Sequence, residues 1–300
     1  FNCFSIGFKE KEYDESLYFN EVVKLFSLNG YSKVMQEEII DLWENTTWFN
    51  DQPHGDISFI PTYIVSEFAS KKNKLVLTGD GGDELFAGYT KYFSLLNQEI
   101  DQNSYFNSLT LFEDNQLDKL YLPEFKKHVE IKETFNNYKR IMNEVSNKDL
   151  INRALYFDTK QLLPGNNLVK PDKMAMANSL ETRSPFLDYR LFELCLNIPG
   201  NLKLKDNQTK YILKKLAQQY LPDNIIYRKK QMFTVPVGEW FKHKLKDYLT
   251  NRLNTSSKIT EIFSFPYIEK LVKDHQSEKV NYTRELRALV NLEIWINKFM

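Results

Sequence analysis

Leu75-Val76-Leu77-Thr78-Gly79-Asp80-Gly81-Gly82-Asp83-Glu84-Leu85-Phe86-Ala87-Gly88-Tyr89 decides how this chain is read. The stretch opens on an apolar run long enough for a buried strand. It turns through three glycines carrying three carboxylates, then becomes apolar again at Leu85-Phe86. Open α/β sheets present ligand chemistry at the carboxyl edge of their strands, where such turns sit. Gly79, Gly81 and Gly82 can take backbone angles closed to other residues and let a bulky ligand approach the main chain. Asp80, Asp83 and Glu84 are hard oxygen donors, suited to Mg²⁺ that is itself holding phosphates. Glycine with aspartate is also ordinary turn chemistry, in which the acids are simply solvated. The glycine spacing is not GxGxxG and no Gly-Lys-Ser/Thr follows, which excludes the dinucleotide fingerprint and the Walker phosphate loop.

Upstream of this stretch, strands and helices alternate. Asn2 to Phe8 reads as a strand. Phe19, Val22, Val23 and Phe26 recur at helical spacing behind Asp14-Glu15, whose charges favour a helix start. Tyr31 to Met35 reads as the next strand, and Glu37 to Trp48 as a helix with Ile40, Trp43 and Thr47 on one face. Asn50 to Ser58 is a loop by its Pro, Gly and Asp content. Ile60, Tyr63, Ile64 and Phe68 form a helical stripe leading into the strand at Leu75. This alternation implies a parallel sheet with helices on its faces.

Downstream, residues 94–146 are polar and rich in Asn, Lys and Glu, and read as surface helices and loops. Beyond Leu150 the chain reads as helical. One stripe is Leu187, Leu191, Leu194 and Ile198. Another is Ile212, Leu213, Leu216, Ala217 and Tyr220, with Thr209 as its cap and Pro222 past its end. Leu289, Val290, Ile294 and Trp295 predict a final packed helix. Residues 1–95 thus form an α/β part, 96–150 a polar helical insertion, and 151–300 a helical part.

Three hundred residues can bury a sizeable core. Forty basic and forty acidic residues cancel, so no global field recruits nucleic acid or an anionic membrane. No apolar run approaches the roughly 20 residues that span a bilayer. Cys3 and Cys195 are far apart in apolar settings and read as thiols of a reducing cytoplasm.

Thr78 to Tyr89 resembles the Ser-Gly-Glu/Asp-Gly-x-Asp-Glu-x-Phe-x-Gly-Tyr signature of the synthetase domain of glutamine-dependent asparagine synthetases. Three further stretches agree in order. Phe4-Ser5-Ile6-Gly7-Phe8 resembles the family's second strand. Asp172 to Ala177, followed by Ser179 to Asp188, resembles D(R/K)xSMAxSLExRxPFLD. Arg228-Lys229-Lys230-Gln231-Met232-Phe233 with Pro236, Gly238 and Trp240 resembles RxKxxFxxPxGxW. The resemblance implies a sheet of the adenine nucleotide alpha hydrolase (PP-loop ATP pyrophosphatase) type, incomplete at its N-terminus, ahead of a mostly helical part.

The implied reaction is ATP-dependent amidation of aspartate through β-aspartyl-AMP, releasing AMP and pyrophosphate. The motifs leave open another carboxylate, such as a sugar acid, a peptide side chain or a lactam precursor. A non-catalytic scaffold is the rival from another class. Adenylation requires an adenine slot, Mg²⁺ on the triphosphate, and a cation against charge building at the α-phosphorus. By resemblance, Ile6 and Gly7 line the adenine, although strand core alone would explain Ile6. Thr78 and Gly79 contact adenosine. Asp80 serves the acyl-adenylate step or merely caps the following helix. Asp83 holds Mg²⁺, and Glu84 anchors that helix. Lys230 is the catalytic cation, preferred over Lys229 because the family's second basic position aligns there. Lys173 and Arg183 are candidates for substrate or phosphate contact, with an Arg183–Glu181 pair as the structural alternative. Met174 and Met176 read as core. His54 and Asp56 border the pocket.

The glutaminase domain, which would deliver ammonia from glutamine, and the Ser-Gly-Gly-x-Asp-Ser pyrophosphate loop are not found in the 300 residues. The expectation is therefore a synthetase fragment, inactive alone, whose sheet edges are covered by an additional segment, a homodimer partner or a separate chain.

Overall fold

A computed structural model describes residues 1–35, 37–96, 102–228 and 235–300. Strand β1 (Asn2–Phe8) leads through helix α1 (Ser16–Leu25) to strand β2 (Asn29–Met35), which pairs with it in parallel from Asn2↔Asn29 to Phe8↔Met35. Ile6, Phe8 and Met35 are buried at the carboxyl end of this pair. A 3₁₀ turn (Glu37–Leu42) precedes α2 (Trp43–Asn50), so the helix expected over 37–48 is split, but Ile40, Trp43 and Thr47 are all buried as its spacing required. Helix α3 (Phe59–Ser70) then feeds β3 (Leu75–Leu77). Its Pro61 stands in the first turn, where a missing N–H leaves no helical hydrogen bond unmade.

The sheet is in two parallel pairs. β3 pairs with β4 (Glu181–Arg183), from Leu75↔Glu181 to Leu77↔Arg183. β4 lies in the part expected to be mostly helical, where the sequence reading places no strand. Glu-Thr-Arg has no apolar alternation, and only pairing with a distant strand makes it β. The two pairs sit on a common base. Asn2 Nδ2 donates to Asn73 Oδ1 at 3.0 Å, and Phe4 of β1 and Val76 of β3 both pack on Ala69, Ala175 and Leu180. β1 and β3 therefore start beside one another. Leu77 is 70% exposed.

Beyond the short helix α4 (Gly82–Leu85) come α5 (Gln102–Leu109), α6 (Asp114–Leu120), α7 (Pro123–Lys126), α8 (Ile131–Glu144) and α9 (Leu150–Phe157). The expectation that residues 94–146 form surface helices and loops is corrected here. Tyr105, Tyr138, Ile141 and Met142 are fully buried and share one core with Ala87 and Tyr92 before them and Ile151 to Phe157 after them. Asp158, fully buried, accepts from Tyr105 Oη at 2.6 Å and from Tyr92 Oη, and pairs with Lys91 Nζ at 2.6 Å. Burial and this carboxylate push both tyrosine hydroxyls far above their ordinary range.

Asp158–Asn167 continues as a π-helix, with Leu168 N donating to Leu163 O. The run ends in α10 (Val169–Met176), which packs on α2 and α3. Met174 is buried, but Met176 is exposed, which corrects its reading as core. Next come α11 (Tyr189–Asn197), α12 (Gly200–Lys203) and α13 (Tyr211–Ala217). Both expected stripes are corrected. α11 starts after Leu187, leaves Leu194 exposed and buries Cys195. α13 keeps Ile212 and Leu213 against Leu85 and Phe86, while Leu216 and Tyr220 face solvent. Its N-cap is Lys210 in a left-handed conformation, not Thr209. α11 buries Cys195 alone and α13 buries no residue fully, so the spacing overstates the buried face.

The chain closes through α14 (Asp223–Ile226), α15 (Val237–Lys242), α16 (Lys246–Arg252), α17 (Phe265–Gln276) and α18 (Thr283–Phe299). The final helix packs as its apolar positions predict. Asn291 accepts from Trp43 Nε1 and Thr47 Oγ1 at 2.8 Å each and donates to His54 O at 2.9 Å, fastening it to the α/β part.

Lys203 is 1% exposed and donates to Asn152 Oδ1 at 2.7 Å. Burial pushes its ammonium down to about 8 from 10.5. Between those pH values the unfolded chain binds a proton that the folded chain does not, so stability rises with pH across that window. Urea unfolding of the protein and of Lys203→Met across the window is expected to show the wild type gaining on the variant as pH rises. Parallel curves would contradict the assignment.

Candidate active site

The turn after β3 is held from both sides. Thr78 N donates to Arg183 O at 2.9 Å, extending the β3–β4 ladder, and Thr78 Oγ1 donates to Asp80 Oδ2 at 2.7 Å. Ser184 Oγ donates to Asp80 O at 2.5 Å. Asp80 therefore has its carboxylate turned back onto Thr78. It does not cap α4, whose N-cap is Gly81 at φ +87. A side chain on Gly81 would strike Leu187 Cδ2 at 2.6 Å in addition to its backbone strain. Gly79 differs, because nothing lies within 4 Å of where its Cβ would be, so the main chain there is open to a ligand.

The two acids that follow have partners. Asp83 Oδ1 lies 2.8 Å from Lys210 Nζ. Glu84 is buried and accepts from Tyr89 Oη at 2.7 Å and Asn167 Nδ2 at 2.6 Å. Burial pushes its carboxyl up. The π-helix is what carries Asn167 to this point, and its Asn166 O bonds His54 Nε2 at 2.9 Å. His54 is thus a buried loop anchor. Burial alone would raise the Asp56 carboxyl, but Lys170 at 2.7 Å and Arg287 at 3.8 Å hold it well below the usual carboxylate range.

Ile6 and Gly7 stand at the carboxyl end of β1. Gly7 has no room for a side chain, since a Cβ would meet Asp14 Oδ1 at 2.3 Å and Ser16 Oγ at 2.6 Å. The chain beyond β1 also holds both flanks of the basic segment. Arg228 Nη1 lies 2.5 Å from Glu15 Oε1, its guanidinium over the Tyr18 ring, and Trp240 Nε1 donates to Glu10 Oε1 at 3.0 Å. Val235, Val237 and Trp240 are buried. Lys229 and Lys230 lie outside the described residues.

Arg183 is brought to the turn by its main chain, while its exposed side chain pairs with Glu181. Lys173 pairs with Asp51 at 2.7 Å in the loop before α3. Among the described residues no three His, Cys, Asp or Glu side chains group as metal ligands. Sequence reasoning missed Lys210, Ser184 and Asn167. Ser184 lay inside a recognised motif; for the other two only the tertiary contact marks them.

A family model described as asparagine synthase matches residues 1–297. The chain belongs to the asparagine synthase family. It is 29% identical to asparagine synthetase [glutamine-hydrolyzing] 1 of Bacillus subtilis (strain 168), over 97% of this chain and 51% of that protein. It is 28% identical to asparagine synthetase [glutamine-hydrolyzing] 3 of the same strain, over 88% and 46%. A putative asparagine synthetase [glutamine-hydrolyzing] of Mycobacterium tuberculosis (strain ATCC 25618 / H37Rv) is 24% identical over 97% and 50%. The chain spans about half the length of these relatives. Among the described residues no helix is long and apolar enough to cross a membrane.

Proposed function

We propose that this chain carries the synthetase chemistry of an amidotransferase, activating the side-chain carboxylate of aspartate with ATP and passing it to ammonia to form asparagine. An unactivated carboxylate reacts too slowly with ammonia. Attack of the carboxylate oxygen on the α-phosphorus of ATP expels pyrophosphate, and ammonia then expels AMP. The observation that carries this reading is the open main chain at the carboxyl end of β3, beside which β1 starts. The open turn Thr78-Gly79-Asp80 ends β3, and both flanks of the Lys230 segment are fastened to the chain leaving β1. Ligands of open α/β sheets bind at this edge, and an adenine nucleotide alpha hydrolase type of sheet is the arrangement the reading implies.

Each residue has a stated task. Ile6 and Gly7 offer the adenine an apolar and main-chain surface, and Thr78 and Gly79 meet adenosine. Asp80 holds the turn through Thr78 and faces the acyl-adenylate. Lys230 opposes charge on the α-phosphate. Arg183 is available to a carboxylate or phosphate by releasing Glu181. Lys173 serves the same site by releasing Asp51. The test is AMP and pyrophosphate release from ATP, Mg²⁺ and ammonium with a panel of aspartate, glutamate, a sugar acid and a β-amino acid. Release with aspartate, matched by asparagine, is expected. Release only with another member would move the substrate, and none with any would remove the reading.

A further inference from the structure

Lys210 reaches back to the glycine turn twice. Its N–H donates to Phe86 O at 3.1 Å, and its Nζ lies 2.8 Å from Asp83 Oδ1. Its backbone is left-handed, at φ +55, in a loop where Asp206 and Asn207 also have positive φ. Such a conformation persists in a non-glycine residue only where its surroundings hold it. The pair closes over Gly88, where a Cβ would fall 1.7 Å from Asp83 Oδ1 and 2.5 Å from Lys210 Cε. The Asp83 Oδ1 atom has no appreciable solvent-exposed surface, and Lys210 Nζ meets it as an ion pair without hydrogen-bond geometry. A hard cation needs several oxygen ligands with open lone pairs. Here one carboxylate oxygen is enclosed and already faces an ammonium, whose charge repels a second cation.

We infer that Asp83 is the counter-ion of Lys210 and not a metal ligand, and that the pair positions the turn Thr78–Gly81 by tying α4 to the start of α13. The route is short. Asp83 sits in α4, Gly81 is the N-cap of α4, and Ile212 and Leu213 of α13 pack on Leu85 and Phe86. Lys210 is thus a positioning residue acting through Asp83. Its role toward the nucleotide rests on the function proposed above; the pair itself does not.

The test uses Asp83→Asn, Lys210→Met and the double variant, with urea unfolding and ATP binding by calorimetry at several Mg²⁺ concentrations. Each single variant is expected to weaken ATP binding about tenfold, with the double no weaker than either, as for residues acting as one unit. The Mg²⁺ concentration for half-maximal ATP binding is expected to stay unchanged in Asp83→Asn. Lys210→Gly, which takes the left-handed backbone freely, isolates loss of the amine if Lys210→Met folds poorly. The inference is overturned if the effects of the single changes add in unfolding. It is also overturned if Asp83→Asn raises the Mg²⁺ requirement while Lys210→Met binds ATP as the wild type does. If the wild type binds no ATP, the proposed function fails, and the unfolding cycle alone still decides whether the pair exists.

Discussion

Replacing Lys230 with methionine is expected to lower the rate of AMP release by about 10²–10³-fold, the usual effect of removing one preorganised group that stabilises transition-state charge. During adenylation, negative charge gathers on the α-phosphate oxygens as the carboxylate enters and pyrophosphate leaves. A lysine ammonium held there opposes that charge without reorganising at the moment of reaction. The described residues on either flank are fixed: Arg228 is tied to Glu15, Trp240 is tied to Glu10, and Val235 and Val237 are buried. ATP–pyrophosphate exchange with saturating aspartate reads the effect on the first half-reaction alone. Lys230→Arg is expected to retain part of the rate, because charge is kept while shape changes. A wild-type rate in Lys230→Met beside a dead Lys229→Met would move the assignment to the neighbouring lysine.

The largest stability effect is expected at Asp158. Asp158→Ala removes the acceptor for two buried tyrosine hydroxyls and the counter-ion of Lys91, whose ammonium also lies over the Tyr89, Tyr92 and Tyr105 rings. Breaking a buried pair by removing one partner leaves an uncompensated charge and costs about 3–5 kcal/mol. Asp158→Asn keeps an acceptor oxygen for a tyrosine and is expected to fall between the wild type and the alanine variant. Urea unfolding measures both. A loss under about 1 kcal/mol in Asp158→Ala, the range of ordinary surface pairs, would mean that water or a rotated side chain satisfies Lys91. Because Asp158 opens the π-helix that carries Asn167 to Glu84, slackening of the glycine turn is expected to accompany the loss.

The part of the fold that reads locally is the part made of local signals. The strands at Asn2–Phe8 and Leu75–Leu77, the stripe of α3 and the last helix each announce themselves through apolar spacing within one element. Residues 94–146 misled because a narrow buried face is diluted by many polar neighbours. Among the described side chains of α8, Tyr138, Ile141 and Met142 are the fully buried ones, and on α5 the phenol of Tyr105 reads as amphipathic until its hydroxyl is seen to meet Asp158. The strand β4 has no pattern of its own and exists by pairing with β3.

By itself the amino-acid order established the residue types at each spacing: a strand running into an acidic glycine bend, an apolar strand over Asn2–Phe8, and a basic segment framed by Phe, Pro, Gly and Trp. These are properties of near neighbours along the chain, and steric and hydrophobic periodicity act at that range. Tertiary structure alone decided which charge answers which. It set Lys210 against Asp83, Lys173 against Asp51 and Asn167 against Glu84. Ion pairs and hydrogen bonds depend on ångström separations between atoms far apart in the chain, and no spacing along the sequence encodes those distances.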